Sequence, residues 1–315
     1  MRRGLVTGPR PIIFVMIFTS KIPDNTKTPV TVTYYLAGRF TYHSKETWTE
    51  LIREGRVFVN NVRCNEESLV KAGDAIAYEP REFEEPEANL SYSVIYEDDW
   101  ILCVNKPGNL LVHRAGKSFR NNLVYQLRHV YNPPYPSCHP VHRLDRDTSG
   151  IVLFAKNAEQ GAVFGNLFRD NLVTKRYAAA VRGCPDIETP FSIDKPIAPD
   201  ASATPGGAPC RFIADESGKP ACTVIEGIQR LNNGYSLLKI RPLTGRTHQI
   251  RVHLASIGFP IAGDRVYGGD VNRCIDNKPV QRQALHCESL SFIHPYTNTE
   301  CTITAPLPDD ITTII

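Results

Sequence analysis

Short apolar runs rich in β-branched and aromatic residues recur between residues 92 and 308, and they constrain the fold more than any other feature of the sequence. Four of these runs lie at 100–104, 151–155, 177–181 and 235–240. Runs of this length are typical of buried strands. Helical patterns are few and do not alternate regularly with the strands, which argues against a doubly wound parallel sheet. The sequence therefore predicts an α+β fold.

The acidic segment REFEEPEANLS, at 81–91, separates two regions of the 315-residue chain. A chain of 315 residues corresponds to about two domains. Because the segment contains a proline and no apolar period, it predicts a solvated linker. Residues 31–80 are expected to form a compact module, and residues 92–315 a larger domain. Within that domain, the Pro- and Gly-rich segment 198–212 predicts a flexible loop.

Residues 1–30 are interpreted as an N-terminal extension. Basic residues precede a short apolar stretch at 11–18, as in a targeting leader, but no small-residue cleavage site follows. Three explanations stay open. Translation begins at Met16 and residues 1–15 are upstream sequence, or the segment is an organelle-targeting leader, or it is a disordered tail.

The module at 31–80 carries the signals of a helix followed by a hairpin. Ser44 precedes the helical pattern as a cap, and Gly55 ends it as a left-handed stop. Asn60 and Asn61 form a tight turn between two short strands. The order of helix, LIREGRVFVNN and GDAI resembles the alpha-L RNA-binding module of a small-subunit ribosomal protein and several RNA enzymes. An unrelated small α+β fold is the alternative.

Composition excludes several classes of protein. Hydrophobic residues make up 42% and charged residues 22%, as in ordinary globular proteins. No apolar run approaches the roughly 18 residues that span a bilayer. The nine cysteines form no CxxC pair and no zinc-like cluster with histidine. The sequence therefore predicts no metal site, and reduced thiols in a reducing compartment.

Three segments carry residues with catalytic chemistry. The first, HRLDRDTSG at 142–150, places Asp145 beside strong turn formers that lead into a buried strand. The neighbouring Arg143 and Arg146 favour an ionised carboxylate, and an ionised, positioned carboxylate can act as a nucleophile. An ordinary surface turn with ion pairs is the alternative.

The second segment, VTKRYAAAV at 173–181, reads as a strand. Alternation puts Lys175 and Tyr177 on one face of it. Tyrosine offers an apolar ring for stacking and a hydroxyl for proton transfer. A half-buried structural tyrosine is the alternative.

The third segment, RPLTGRTHQIRVHLASIG at 241–258, holds three arginines and two histidines in its first 13 residues, and no acid. Its apolar residues fit a helical stripe that Thr247 could cap and Gly258 could stop. Arg251 lies close to this stripe, and an arginine partly inside a protein needs a carboxylate or phosphate partner. RNA phosphate is one candidate anion, and a solvated basic face is the alternative.

Together these segments resemble the motifs of the RluA-type RNA pseudouridine synthases. HRLDRDTSG, TKRYAA and RPLTGRTHQIRVHLASIGFPIAGDRVYG occur in the family's order, with supporting pieces such as NKPG at 105–108 and LHC at 285–287. The resemblance covers 92–308. It implies a mixed, mainly antiparallel sheet and an isomerase that converts uridine in RNA to pseudouridine. It further implies no cofactor, and RNA as the partner of a cytoplasmic monomer, or of an organellar one if residues 1–30 are a leader.

The resemblance also implies roles for individual residues. Asp145 would attack the target uridine, at the ribose anomeric carbon or at the base. Tyr177 would stack on the uracil, and Arg251 would form an ion pair with Asp145. The further candidates for RNA contacts are Arg143, Arg246 and His248. The alpha-L-like module favours ribosomal RNA as the substrate, and transfer RNA stays open.

The uneven distribution of charge supports an RNA substrate. The formal net charge is only +3. However, segments 142–147, 169–182 and 241–253 together hold nine basic and three acidic residues, whereas 81–100 holds one basic and seven acidic residues. Positive charge concentrated around the catalytic candidates is what an RNA-binding active site needs.

Two other classes of function compete with this interpretation. One is a non-catalytic RNA-binding protein, against which the intact Asp145, Tyr177 and Arg251 argue. The other is a hydrolase that uses Asp145 and Asp147 as a carboxylate pair. Carboxylates two residues apart are poorly placed to flank a bond from opposite sides.

Overall fold

The protein, analysed as a computed structural model, is described at residues 18–26, 29–81, 85–202, 211–231, 234–268, 274–275 and 278–314. The chain forms two compact units, residues 1–84 and 85–315, which we call the N-terminal unit and the C-terminal unit. The predicted upstream or leader segment 1–15 lies outside the described residues, as does the stretch 203–210 of the predicted loop.

The N-terminal unit consists of a small sheet and two helices. Its elements are β1 (Phe18–Lys21), β2 (Val30–Thr31), α1 (Val32–Arg39), α2 (Lys45–Arg53), β3 (Val57–Val59), β4 (Val62–Arg63), β5 (Leu69–Val70) and β6 (Ala75–Tyr78). Four strands form an antiparallel sheet in the order β1-β6-β3-β4, and β2 pairs with β5. Trp48, Leu36 and Leu51 are buried in its core.

The turn and cap signals of this unit act as predicted. The Ser44 side chain accepts a hydrogen bond from the Thr47 N–H at the start of α2. Gly55 follows the helix with a φ of 71°. Asn60 and Asn61 have φ values of 51° and 65° between β3 and β4, as a type I′ hairpin turn requires.

The boundary expected at residue 31 differs from the structure. β1 pairs with β6 along its whole length, and the Ile22 side chain after it is fully buried in the core of the N-terminal unit. Residues 18–22 therefore belong to this unit and not to a separate extension. A strand of four residues is too short for alternation to reveal it.

The C-terminal unit contains the remaining strands and helices. Its strands are β7 (Ser93–Glu97), β8 (Ile101–Lys106), β9 (His139–Pro140), β10 (Ser149–Ala155), β11 (Thr174–Arg182), β12 (Phe191–Asp194), β13 (Ile197–Pro199), β14 (Phe212–Ala214), β15 (Cys222–Arg230), β16 (Tyr235–Pro242), β17 (Cys274–Ile275), β18 (Lys278–Pro279), β19 (Leu285–Ile293) and β20 (Glu300–Thr304). Its helices are α3 (Leu123–Tyr125), which continues into a π-helical turn (Gln126–Val130), α4 (Ala158–Arg169), α5 (Gln249–Ser256) and α6 (Asp309–Thr312).

A ten-stranded sheet organises the C-terminal unit. Its main path runs β12-β15-β16-β11-β19-β10-β8-β7, with β20 beside β19 and β9 beside β10. Every pairing in this sheet is antiparallel except that of β10 with β19, which is parallel. The predicted α+β class with a mainly antiparallel sheet is therefore confirmed. The four apolar runs noted in the sequence lie in β8, β10, β11 and β16.

Two segments expected to be irregular are partly ordered. Residues 85–91 of the expected linker lie against the C-terminal unit, where the Glu85 carboxylate accepts backbone N–H groups of residues 119–121 at 2.9–3.0 Å. The two ends of the expected loop 198–212 form strands, because β13 pairs with β14. None of the helices in the described part of the chain is long and apolar enough to cross a lipid bilayer.

Candidate active site

A cavity of about 480 Å³ opens in the C-terminal unit where the turn before β10, the start of β11 and the start of α5 meet. All six site residues expected from the sequence line it, namely Arg143, Asp145, Tyr177, Arg246, His248 and Arg251. Asp147, the second carboxylate of the hydrolase interpretation, is not among the residues of the lining, and it pairs with Arg146 at 3.3 Å.

Asp145 lies on a tight turn that leads directly into β10. Its carbonyl accepts the Thr148 N–H at 3.2 Å, and its side chain is 21% exposed toward the cavity. Gly150 follows with a φ of 114°, and a Cβ at that position would lie 2.3 Å from the Cys287 carbonyl oxygen on β19. Only glycine therefore allows β10 to approach β19 at this point. The predicted turn at Asp145 is confirmed.

A buried lysine holds the far side of this turn. Lys106, at the end of β8, is 0% exposed and donates from Nζ to the carbonyls of Pro107, Leu110 and Arg146 at 2.9, 2.9 and 3.0 Å. Burial lowers its pKa to about 7, and the nearby Arg282 charge adds to that lowering. Lys106, in the NKPG segment, is thereby hydrogen-bonded to Arg146, the residue that follows Asp145.

Arg282 holds the same turn from the other side. It donates to the Asp147 carbonyl at 2.9 Å and to the Ser149 hydroxyl at 3.0 Å. Asp310, on α6, accepts from Arg282 Nε at 2.6 Å and from Nη2 at 2.8 Å. The position of the Asp145 turn is therefore set by residues that lie far away in the sequence, on β8 and near the end of the chain.

Arg251 contacts two carboxylates at once. Its Nη1 lies 2.9 Å from Asp145 Oδ2, so the ion pair implied by the resemblance is present. Its Nε and Nη2 bind Asp264 at 2.6 and 3.0 Å in a bidentate arrangement. Burial acts to lower the pKa of Arg251, but its hydrogen bonds to Asp264 and Asp145 outweigh burial and raise it above its usual value. Arg251 therefore stays charged beside Asp145.

Sequence reasoning did not identify Asp264 as a functional residue. Its side chain is 1% exposed, and its Oδ1 also accepts the backbone N–H groups of Val266 and Tyr267 at 2.9 and 3.1 Å. Asp264 thus fixes the guanidinium that binds Asp145. A signal for Asp264 was present in the sequence. It is the one acid of GDRVYG, at 263–268, and it follows Arg251 by 13 residues.

The start of α5 differs from the prediction. Thr247 does not cap the helix. The cap is His248, in the left-handed region with a φ of 55°, and it makes no side-chain cap bond. The Gln249 carboxamide stabilises the turn before α5 instead. It accepts hydrogen bonds from the Thr244 hydroxyl and the Arg246 N–H at 2.7 and 3.0 Å. Gly258 ends the helix with a φ of 86°, as predicted.

His248 is held between Tyr267 and Asp145. Its Nδ1 lies 2.9 Å from the Tyr267 hydroxyl, which also accepts the backbone N–H of Phe212 at 3.0 Å. Its Nε2 lies 3.8 Å from Asp145 Oδ2. The Tyr267 ring packs below Arg251, whose guanidinium carbon lies 5.0 Å from the ring centroid. His248 is therefore close to Asp145 and half-buried, and does not lie at the rim of the cavity.

Tyr177 forms part of the cavity wall on β11. Its side chain is 9% exposed and lies beside the buried Cys287 thiol. Burial raises the pKa of Tyr177 well above its usual value, and Cys287 and Asp145 act in the same direction. The hydroxyl is therefore neutral, and it hydrogen-bonds the Cys287 sulfur. Lys175 also lines the cavity, as the expected strand face requires.

Arg143 and Arg246 are exposed at the rim of the cavity. Arg246 donates from Nε to the Pro220 carbonyl at 3.0 Å. Both guanidiniums face solvent, so they can reach the backbone of a long ligand. Within the part of the chain that the structure describes, no group of three or more His, Cys, Asp or Glu side chains is placed to hold a metal ion.

Comparisons with known proteins agree on one family. The profile of the family described as RNA pseudouridylate synthase matches residues 100–256. The ribosomal large subunit pseudouridine synthase D of Zymomonas mobilis subsp. mobilis is 33% identical over 243 residues, which cover 74% of each chain. The ribosomal large subunit pseudouridine synthase C of Buchnera aphidicola subsp. Schizaphis graminum is 33% identical over 269 residues, covering 82% of this chain and 83% of that protein.

A solved structure also resembles this chain. Human RNA pseudouridylate synthase domain containing 1 aligns with a TM-score of 0.57 and 27% sequence identity. The alignment covers 71% of this chain and 86% of the human one.

Proposed function

This chain belongs to the RluA-type family of RNA pseudouridine synthases and isomerises uridine in RNA to pseudouridine, and we propose that Asp145 is the nucleophile of that reaction. One observation carries the proposal: Asp145 Oδ2 lies 2.9 Å from Nη1 of the buried Arg251, in the cavity that Tyr177 also lines. A carboxylate that is oriented by a guanidinium is equipped to act as a nucleophile.

The reaction exchanges two bonds at the ribose. The bond from N1 to C1′ breaks, a bond from C5 to C1′ forms, and the C5 hydrogen is lost while N1 gains a proton. All atoms of uridine are conserved except for this exchanged hydrogen, and nothing is oxidised or reduced. Asp145 attacks the anomeric carbon or the base, and it is released when the new bond closes. The proposed chemistry therefore needs no cofactor.

Tyr177 is proposed to receive the uracil. A base must leave its stack to reach a group inside a cavity, and an aromatic ring replaces part of the lost stacking energy. While the base rotates, the neutral hydroxyl of Tyr177 can exchange its hydrogen bond with Cys287 for one to a uracil oxygen. Arg251 is proposed to orient Asp145 throughout the reaction.

The remaining candidates are proposed to bind RNA outside the reacting atoms. Arg143 and Arg246 face solvent at the rim, where they can contact phosphates of the target strand. His248 is half-buried, so its contact is proposed to be with the target nucleotide. Arg143 immediately precedes the Asp145 turn and can fill the space that the extruded base leaves.

Ribosomal RNA is the proposed substrate class. The relatives described above are named for the ribosomal large subunit, and the N-terminal unit carries the helix and hairpin of the alpha-L-like pattern at 31–80. We propose that this unit binds structured RNA and that the protein acts as a monomer in the cytoplasm, or in an organelle if residues 1–30 include a leader. Transfer RNA is the alternative substrate.

The test of the nucleophile is Asp145→Asn. Loss of the carboxylate is expected to abolish pseudouridine formation, while binding of the RNA stays within about threefold of wild type. Asp147→Asn is the matched control, because its side chain lies outside the cavity, and it is expected to retain most activity. An unchanged product yield with Asp145→Asn would refute the assignment.

The substrate class is tested by mapping pseudouridines in total RNA with and without the gene. Sites that disappear from large-subunit ribosomal RNA would support the proposal. Sites that disappear only from transfer RNA would replace it, and both results would leave the assignment of Asp145 intact.

A further inference from the structure

His248 has a backbone conformation that needs an explanation. Its φ of 55° lies in the left-handed region, which few residues other than glycine adopt. Such conformations cost free energy and cluster at functional sites. In this conformation, Nε2 of the imidazole lies 3.8 Å from Asp145 Oδ2.

The hydrogen bonds of Tyr267 fix which nitrogen of His248 carries the proton. The Tyr267 oxygen already accepts the Phe212 N–H at 3.0 Å, so its own hydrogen is free to be donated to His248 Nδ1 at 2.9 Å. Nδ1 then acts as the acceptor, and the proton of a neutral imidazole lies on Nε2. The opposite tautomer would leave the Tyr267 hydrogen without an acceptor and would turn a lone pair toward the Asp145 carboxylate.

Burial is the main reason why His248 is neutral. Burial lowers its pKa, and Arg251 and Arg143 add to the lowering, while Asp145 and Asp264 oppose it. His248 is thus a neutral donor that faces a carboxylate.

Two donors therefore lie near the same oxygen of Asp145. Arg251 Nη1 binds Oδ2 at 2.9 Å, and His248 Nε2 lies 3.8 Å from Oδ2. Among the described residues, no donor binds Oδ1. The distance of 3.8 Å is longer than a hydrogen bond, but catalytic hydrogen bonds are often long in the absence of substrate and tighten in its presence.

We propose that His248 is a positioning residue of the isomerisation. When RNA binds, its Nε2–H donates to Oδ2 of Asp145, so that the carboxylate is held by two donors on one oxygen and Oδ1 is the oxygen that reacts. This inference rests on the proposed role of Asp145, and it assigns the Nε2–H of His248 to Asp145 instead of to the target nucleotide. Tyr267 and the start of β14 act through His248, because they fix its tautomer and the plane of its ring.

The experiment compares two substitutions. Each keeps a hydrogen-bonding group at the position of one imidazole nitrogen and loses the other. In His248→Asn, the amide takes the place of Nδ1 and keeps a partner for Tyr267, but it does not reach Asp145, and asparagine tolerates the left-handed conformation. In His248→Gln, the amide nitrogen reaches the place of Nε2 and donates without being able to take up a proton. Large-subunit ribosomal RNA transcribed in vitro with tritium at uridine C5 reports the reaction, because the C5 hydrogen is released to water.

The single-turnover rate at saturating RNA separates the outcomes. His248→Asn is expected to be about 10- to 100-fold slower than wild type, the value of one charge-assisted hydrogen bond. The single-turnover rate of His248→Gln is expected to lie within about fivefold of the wild-type rate. In both variants, the Kd for RNA is expected to stay within about twofold of wild type. A His248→Gln variant as slow as His248→Asn would overturn the donor role, as would a wild-type rate in His248→Asn. A raised Kd with an unchanged saturating rate would instead assign His248 to RNA binding.

Tyr267→Phe keeps the proposal testable if His248→Gln folds poorly. It retains the ring below Arg251 and removes only the hydroxyl, and it is expected to slow the reaction several-fold without changing the Kd for RNA. Combined with His248→Asn, it should add no further loss, because Tyr267 acts only through the donor to Asp145 that His248→Asn has already removed. Additive losses would overturn the role of Tyr267. If wild type releases no tritium from either ribosomal or transfer RNA, the proposed function itself fails, which separates that failure from a failure of this inference.

Discussion

Replacing Lys106 with methionine tests how the turn that carries Asp145 is held. The ammonium of Lys106 is fully buried with three carbonyl partners, and its pKa is lowered from 10.5 to about 7. Because each pKa unit corresponds to about 1.4 kcal/mol, the charged form is destabilised by roughly 5 kcal/mol relative to the unfolded chain. Methionine has a similar shape and carries no charge, so it removes this penalty at every pH.

The sign of the effect follows from proton linkage. Between pH 7 and about 10 the unfolded chain keeps the Lys106 proton and the folded protein releases it, so the contribution of Lys106 to stability rises with pH. Below pH 7 both states are protonated and the full penalty applies. The free energy of unfolding of wild type minus that of Lys106→Met is therefore expected to rise by about 3 kcal/mol from pH 7 to pH 9.

Urea unfolding at several pH values between 6 and 9, followed by circular dichroism, measures this difference. The loss of three hydrogen bonds in the variant shifts the difference by a constant and leaves its slope intact. Lys117→Met, at an exposed position, is the matched control and is expected to give no slope. The reasoning would be refuted if the free energy of unfolding of wild type minus that of Lys106→Met stayed constant from pH 6 to pH 9. That result would mean that the three carbonyls keep the ammonium charged.

Three further predictions concern the site and the sheet. Asp264→Asn removes one of the two carboxylates that bind the buried Arg251 guanidinium. It is expected to lower the free energy of unfolding by about 3 kcal/mol and to reduce activity strongly; a wild-type melting temperature would contradict this. Gly150→Ala is expected to destabilise the protein severely, since the new Cβ meets a backbone carbonyl at 2.3 Å. Gly165→Ala is the control. It lies in the middle of α4 with free space around the new Cβ, and it should stabilise the protein by up to about 1 kcal/mol. Activity is expected to persist in a chelator, and a loss that added metal restores would contradict the proposed chemistry.

Local signals in the sequence predicted local structure well. Gly55, Gly258 and the pair Asn60 and Asn61 all adopt the left-handed conformations that their positions indicated. Such predictions succeed because the conformational preference of these residues depends on their own side chains and only weakly on distant parts of the chain. The long apolar runs likewise became central strands.

The parts of the site that the sequence did not reveal depend on long-range geometry. Asp264 reaches Arg251 only because the chain turns back after α5, and no spacing rule predicts that contact. Thr247 had the chemistry of a cap, but the Gln249 side chain bonds the Thr244 hydroxyl and the Arg246 N–H of the preceding turn. β1 was missed because its evidence is a partner 54 to 60 positions later, as in the pairing of Lys21 with Ala75 and of Phe18 with Tyr78.

The turn that carries Asp145 is secured by residues that follow it by more than 130 positions. Arg282 binds the Asp147 carbonyl and the Ser149 hydroxyl, and Asp310 fixes Arg282 in turn. During synthesis on the ribosome, Asp145 therefore emerges before most of the groups that hold its turn. A nascent chain that ends at β16 already contains Lys106, which binds the Arg146 carbonyl, but it still lacks Arg251, Arg282 and Asp310. The full set of side chains that hold Asp145 and its turn is therefore present only after α6 has been synthesised.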